Sequence, residues 1–292
     1  HVLSEADVHT LKIVATPLGS TEIRKRHSRA FERDADVAEL VRRLEEERSN
    51  VLILGEAGVG KTSVLIDAAR RLERQRNEAG ERGSRVWQTS ANRIIAGMKY
   101  LGEWEERCEN IIEELSVVEG VLCLNDLAEA VRVGGSDPSG SVASFFIPYL
   151  RHRELRMVCE TTPAGLDACR RTLPDFLEMF QILRISDFDA AKASRALRRA
   201  AQSLSQSLGV ACDDGVIERI RQLYARFLPY QPIPGKAVDF MRELWSDAAR
   251  ADNQTITEEQ VIDAFGKRTG LPELFLRDDL PLSSDKVLQS FE

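Results

Sequence analysis

The stretch Val51-Leu-Ile-Leu-Gly55-Glu-Ala-Gly58-Val-Gly60-Lys61-Thr62 decides the fold. Its apolar start has the character of a buried parallel strand, and it runs straight into Gly-x-x-x-x-Gly-Lys-Thr. Val64, Leu65 and Ile66 then open a helical pattern. Strand, glycine loop and helix in that order are the context a phosphate-binding loop requires. Gly55, Gly58 and Gly60 let backbone N–H groups curl around an anion without Cβ clashes. The helix N-terminus adds partial positive charge. The loop Gly55, Glu56, Ala57, Gly58, Val59, Gly60, Lys61, Thr62 and Ser63 is therefore the expected nucleotide cradle. Lys61 would reach the β- and γ-phosphates of ATP or ADP, and the Thr62 hydroxyl would coordinate Mg²⁺.

Outward from this loop the alternation continues. Phe31–Arg48 carries Val37, Leu40, Val41 and Leu44 on one helical face. Arg85–Thr89, Gly120–Leu124, Leu155–Glu160 and Phe180–Ile185 read as further strands. Trp104, Cys108, Ile111, Ile112 and Leu115 form a helical stripe between two of them, and Val142–Leu150 another helix. Gly134–Gly140 reads as a flexible loop. Strands alternating with helices predict an α/β fold with a parallel sheet flanked by helices. After Asp187 every apolar repeat has helical period up to Phe265. Asp213 or Asp214 can cap one helix there, Pro234 begins another, and Thr257-Glu-Glu-Gln260 is a capping box. The expected plan is a linker over 1–30, an α/β domain over 31–186, a small all-helical domain over 187–268 and a linker over 269–292.

The bulk numbers exclude some functions. At 292 residues the chain has room for about two domains. No apolar run approaches the roughly 18 residues of a membrane span. A net charge of −7 disfavours non-specific nucleic-acid binding. Five cysteines (Cys108, Cys123, Cys159, Cys169, Cys212) without a Cys-x-x-Cys pair read as reduced core thiols, which points to the cytoplasm. No signal peptide is expected. The start at His1 and the end at Phe291-Glu292 suggest a piece of a longer protein.

Further motifs carry a resemblance. Ala96-Gly-Met-Lys99-Tyr100-Leu-Gly102-Glu-Trp-Glu-Glu-Arg107 resembles the first-ring pore loop and following helix of the Clp-type AAA+ ATPases, the unfoldases and disaggregases ClpA, ClpB and ClpC. Arg153–Thr162 is similar to their strand leading to the sensor-1 position, here Thr162. Ile233–Phe240 resembles their lid-helix motif, and Thr269-Gly-Leu-Pro272 their link toward a second ATPase module. The resemblance spans roughly residues 30–275. It implies an AAA+ phosphate-loop domain with a helical lid. It also implies a six-membered ring in the full-length protein, and polypeptide clients gripped by Lys99, Tyr100 and Leu101. A partner protein or protease is a further option. An aromatic ring such as Tyr100, between glycines that let a loop project, can hold an extended chain by stacking and apolar contact.

Two departures from the family pattern bear on hydrolysis. The Asp-Glu pair expected after the strand at 121–124 reads Asn125-Asp126. Asn125, in the metal-ordering position, lacks a full negative charge. Asp126, in the base position, is one methylene short of Glu, and base catalysis depends on geometry. A one-residue slip would make Asp126 the metal residue and leave Leu127 where the base belongs. The two arginine-finger positions read Glu178-Met179, with Arg170 and Arg171 a short helix away. Arginine fingers are worth about 10³–10⁵ in rate in related enzymes. The resemblance thus implies either an ATP-binding ring module impaired in hydrolysis or a working unfoldase with Asp126 as a shortened base. A nucleic-acid-stimulated switch is a third option, opposed by the acidity and the pore-loop match.

Overall fold

The computed structural model describes residues 8–27, 29–80, 84–98, 102–135, 137–230, 233–251 and 253–277. The chain divides into two compact units, one ending at Ser186 and the other comprising Ala57–Val59 and the chain from Asp187 on.

The first unit runs α1 (His9–Val14), β1 (Thr16–Pro17), α2 (Thr21–Arg26), α3 (Asp34–Glu45), β2 (Val51–Leu54) and α4 (Lys61–Glu78). Then come β3 (Val86–Thr89), α5 (Ala91–Ile95), α6 (Glu103–Val117), β4 (Val121–Leu124), α7 (Leu127–Arg132) and α8 (Val142–Arg151). β5 (Met157–Thr161), α9 (Pro163–Thr172), α10 (Pro174–Leu177) and β6 (Gln181–Arg184) close it. The sheet order is β1-β3-β4-β5-β2-β6. β1 is antiparallel to β3, and the other neighbours are parallel. β2, β4 and β5 are buried at every position, as apolar runs covered on both faces must be. β6 lies at the edge, with only Leu183 buried. Leu52, Leu54, Leu122, Leu124, Met157 and Cys159 join one core with α1, α6, α7 and α8. By strand alternation Ile53, Cys123, Val158 and Glu160 face the other side, where α3 packs on β2 and α4.

The register fixes the functional edge. Leu124 lies opposite Cys159, and Leu54 opposite Thr161. The glycine loop, Asn125-Asp126 and Thr162 thus follow the carboxyl ends of three adjacent parallel strands. Open α/β sheets place their ligands at that edge.

The linker expected over 1–30 is corrected over its described part. Val8, Leu11 and Val14 are buried in the sheet core. The Glu114 carboxylate accepts the Thr10 and Leu11 N–H groups at 2.7 and 2.8 Å, a helix cap supplied from α6. β1 pairs with Gln88 and Trp87 of β3 and adds a sixth strand. The flexible loop expected over 134–140 is closed in its described part. Gly134 bridges Ser141, Gly135 N–H donates to Gly140 O at 2.7 Å, and Pro138–Gly140 make one 3₁₀ turn.

The second unit comprises α11 (Ala190–Leu208), β7 (Ala211–Cys212), α12 (Val216–Phe227), α13 (Gly235–Arg250), β8 (Thr255–Ile256), α14 (Glu258–Thr269) and α15 (Glu273–Leu276). It is not purely helical, because β7 and β8 form a two-residue parallel ladder. Tyr224, Phe240 and Phe265 centre its core at ring separations of 5.5–6.1 Å. The Thr257–Gln260 capping box is present. Gly215, not Asp213 or Asp214, occupies the N-cap of α12, without a side-chain cap. Leu276 is buried, so the segment past Thr269 is packed at least to α15. The cysteines are free, four of them buried, and burial pushes the Cys123 and Cys159 thiols well up.

Candidate functional site

The loop after β2 is built as its glycines dictate. Gly58 and Gly60 have φ of 85° and 104°, in the left-handed region. Space around Gly60 is open, so φ alone selects glycine there. Gly60 is also the N-cap of α4, and no side chain caps it. The first-turn N–H groups of an 18-residue helix thus face the loop without a side-chain acceptor. Lys61 turns back over the loop, and its Nζ donates to Gly55 O at 2.8 Å and Glu56 O at 2.9 Å. Half-burial pushes its pKa down, opposed by Glu160 and Glu56. Glu56, Ala57 and Gly58 are exposed, Val59 is buried, and Ser63 sits half-buried in the first turn of α4.

The Thr62 hydroxyl donates to Glu160 Oε2 at 2.7 Å. Glu160 was not anticipated from the sequence. It is 4% exposed, and its Oε1 is buried without a hydrogen-bond partner among the described residues. Burial pushes its carboxyl up to about 7, moderated by the Thr62 hydrogen bond and by Lys61. A signal was available: an acid inside the run Met157-Val-Cys-Glu160-Thr161, since acids are almost never fully buried unless paired. The oxygen set suits a hard cation. The Thr62 hydroxyl and the Glu160 carboxylate offer oxygen donors in contact, and the orphaned Oε1 asks for a partner. The described residues include no cluster of three His, Cys, Asp or Glu that could hold a metal by itself. Mg²⁺ commonly completes its shell with phosphates and water.

Asn125 and Asp126 are both exposed at the end of β4. Asp126 is engaged as the N-cap of α7, its Oδ1 accepting from Ala128 N–H at 2.8 Å and Glu129 N–H at 3.3 Å. Glu129, the neighbouring acid, accepts from Asn92 N–H at 2.7 Å. Thr162 caps α9, accepting from Gly165 N–H at 3.2 Å. That bond uses an oxygen lone pair and leaves the hydroxyl proton free to be donated.

Glu178 is exposed just past α10, while Met179 packs against the core of the first unit. Arg170 pairs with Asp167 at 3.2 Å on the exposed end of α9, and Arg171 is exposed beside it. Lys99, Tyr100 and Leu101 lie outside the described residues. Their flanks are fixed: Gly97 and Gly102 have φ of 80° and 96°. Arg107 donates to Ile94 O at 2.6 Å and Ala96 O at 3.0 Å across the base of the segment.

A parallel sheet with a phosphate loop after β2, followed by a helical unit, defines a P-loop module of the AAA+ type. No family model matches the chain. ClpB of Vibrio vulnificus YJ016, a chaperone protein by name, is 29% identical over 217 residues, 72% of this chain and 25% of the relative. ClpB 2 of Parasynechococcus marenigrum WH8102 is 30% identical over 237 residues, 79% of this chain and 25% of the relative. The chain therefore spans about a quarter of the length of these relatives. Among solved structures, Hsp104 with ATPγS and FITC-casein in its closed state has a TM-score of 0.74 at 20% identity, over 96% of this chain and 48% of that one. The Saccharomyces cerevisiae Hsp104–ADP complex has a TM-score of 0.73 at 20% identity, over 92% of this chain and 47% of that one. The chain belongs to the Clp family of AAA+ proteins. Among the described residues no helix is long and apolar enough to cross a membrane.

Proposed function

We propose that this chain is the first nucleotide-binding ring module of a Clp-like protein-remodelling ATPase, one that holds Mg²⁺–ATP but hydrolyses it slowly. The observation that carries the reading is the contrast between an intact phosphate loop and an Asp126 carboxylate engaged in capping α7. The loop N–H groups and Lys61 would bind the phosphates, and the Thr62 hydroxyl would hold the metal. Bound Mg²⁺ would neutralise charge on the β- and γ-phosphate oxygens. Asp126 is short for a base and its Oδ1 is held by two N–H groups, so it would activate water at the γ-phosphate poorly. Glu178 and Met179 offer no cation to a neighbouring subunit's phosphate. The module then serves nucleotide-dependent structure in a six-membered cytoplasmic ring, with residues 269–292 leading toward a second ATPase module. Lys99, Tyr100 and Leu101 would meet a polypeptide client in the pore, a reading supported by the casein held by Hsp104 structures of similar fold. A partner protein or protease would dock elsewhere on such a ring.

The test is steady-state phosphate release by the assembled full-length protein with its second ATPase module inactivated. Turnover well below about one per second is expected, and a rate at or above that overturns the reading. The second reading, an active unfoldase module, is favoured by Thr162, whose hydroxyl proton can be donated to a γ-phosphate. Nucleotide-driven unfolding of a tagged client in the same assay would select it.

A further inference from the structure

The metal-ordering position after β4 is Asn125, which brings no charge. One strand away, β5 carries a carboxylate at the same level. In the β4–β5 register Leu124, the last residue of β4, lies opposite Cys159, so Asn125 leaves the strand where β5 continues into Glu160. Glu160 also lies opposite Ile53 of β2, just short of the phosphate loop. Its Oε2 accepts the Thr62 hydroxyl at 2.7 Å.

We propose that Glu160 is the acidic group that orders Mg²⁺ at this nucleotide site, supplied from β5 where β4 carries Asn125. The inference rests on the nucleotide reading of the loop. A hydroxyl that donates its proton to a carboxylate keeps its oxygen lone pairs for a cation. Glu160 thus aims the Thr62 oxygen, and it does so from a buried position where Lys61 only partly offsets its charge. Its second oxygen, Oε1, is buried and without a hydrogen-bond partner among the described residues, and it would have acceptor capacity for a water of the cation's shell. Deep burial suits this role, since an acid fixed by its strand holds a ligand more firmly than one on a loop. The opposite role for the same contact is a block, in which Glu160 withholds the Thr62 hydroxyl from the metal.

The two roles separate in a binding measurement that needs no turnover. A fluorescent ADP analogue is titrated into the full chain in EDTA and in Mg²⁺. Mn²⁺ bound with ADP is followed in parallel by electron paramagnetic resonance. Glu160→Gln should leave affinity in EDTA equal or improved and lose about tenfold of the gain given by Mg²⁺, within the 10–100-fold usual for groups that orient metal ligands. The Mn²⁺ signal should weaken accordingly. The double variant Glu160→Ala with Asn125→Asp should recover the metal-dependent gain, and it guards against a fold defect specific to the single variant. A Glu160→Gln protein that keeps the full gain, or gains more, overturns the proposal and identifies the block. A parent that binds ADP equally with and without metal overturns it too, while the nucleotide reading survives. A parent that binds no nucleotide in either condition removes both.

Discussion

Replacing Glu160 by Gln should change how the stability of the metal-free protein depends on pH. The carboxyl is raised from an ordinary 4.5 to about 7, first by burial, and held from rising further by Thr62 and Lys61. A raised folded-state pKa means the native state keeps a proton that the unfolded chain releases. Stability from this group is therefore complete below about pH 4.5 and is lost as pH rises toward 7. A folded-state pKa one pH unit above the unfolded value is worth about 1.4 kcal/mol. The full window is thus worth about 3 kcal/mol, of which about 2–3 kcal/mol falls between pH 5 and pH 8. For a chain of this size that is about 5–10 °C in melting temperature. Gln keeps an acceptor for the Thr62 hydroxyl but does not titrate, so any constant offset it introduces cancels when pH is varied. The assay is thermal unfolding in EDTA at pH 5, 6, 7 and 8 for parent and variant. The parent should lose stability relative to the variant across this range. Parallel curves would mean that Glu160 is ionised in the native protein at little cost, and the burial argument would be wrong.

Lys61→Ala should abolish ATP binding with only a small change in melting temperature, because among the described residues the side chain hydrogen-bonds to the Gly55 and Glu56 carbonyls of its own loop; unchanged affinity by calorimetry would refute the loop assignment. Glu114→Ala removes the acceptor for two N–H groups of α1 and should loosen residues 8–18 by about 2–4 kcal/mol, seen as faster hydrogen exchange of the Leu18 N–H bonded to Val86. The full-length protein should assemble into a ring with ATP, and light scattering that gives a strict monomer at micromolar concentration would contradict the ring proposal.

Much of this was legible because it is local. The run from Val51 to Thr62 states its strand, loop and helix within twelve residues. Thr257 and Gln260 cap a helix by bonds three residues apart. What escaped depends on distant partners. α1 spans only six residues, and its cap comes from Glu114, over 100 positions away. β7 and β8 are two residues each, too short for any periodicity. Glu160 acquires meaning only when the fold sets it against the Thr62 hydroxyl, 98 positions away in sequence. Asp126 is the intermediate case. An Asp with Glu129 three residues on is a helix-start signature, and the same residue stands at the base position after β4, so one pattern carries two readings.

The two carboxylates of an Asp-Glu pair do separable work, and the proposed site would separate them. Ordering a metal needs an acid near the Thr62 hydroxyl, and any strand that ends beside β2 can supply one. β5 is hydrogen-bonded to β2 along its length, so Glu160 reaches Thr62 without moving the backbone. Activating water needs a free carboxylate in line with the γ-phosphate, at a position fixed to within about 1 Å. Glu160 cannot serve there, because one oxygen holds Thr62 and both are buried. Asp126 is held at the start of α7 by two N–H groups, and Glu129 by Asn92. Lengthening Asp126 to Glu would move its carboxylate off the α7 cap, at a cost of about 1 kcal/mol, and toward the water. On the proposed reading, such a site would favour a bound Mg²⁺–ATP over a hydrolysed one, because Glu160 would take over the metal function while the base function would have no substitute.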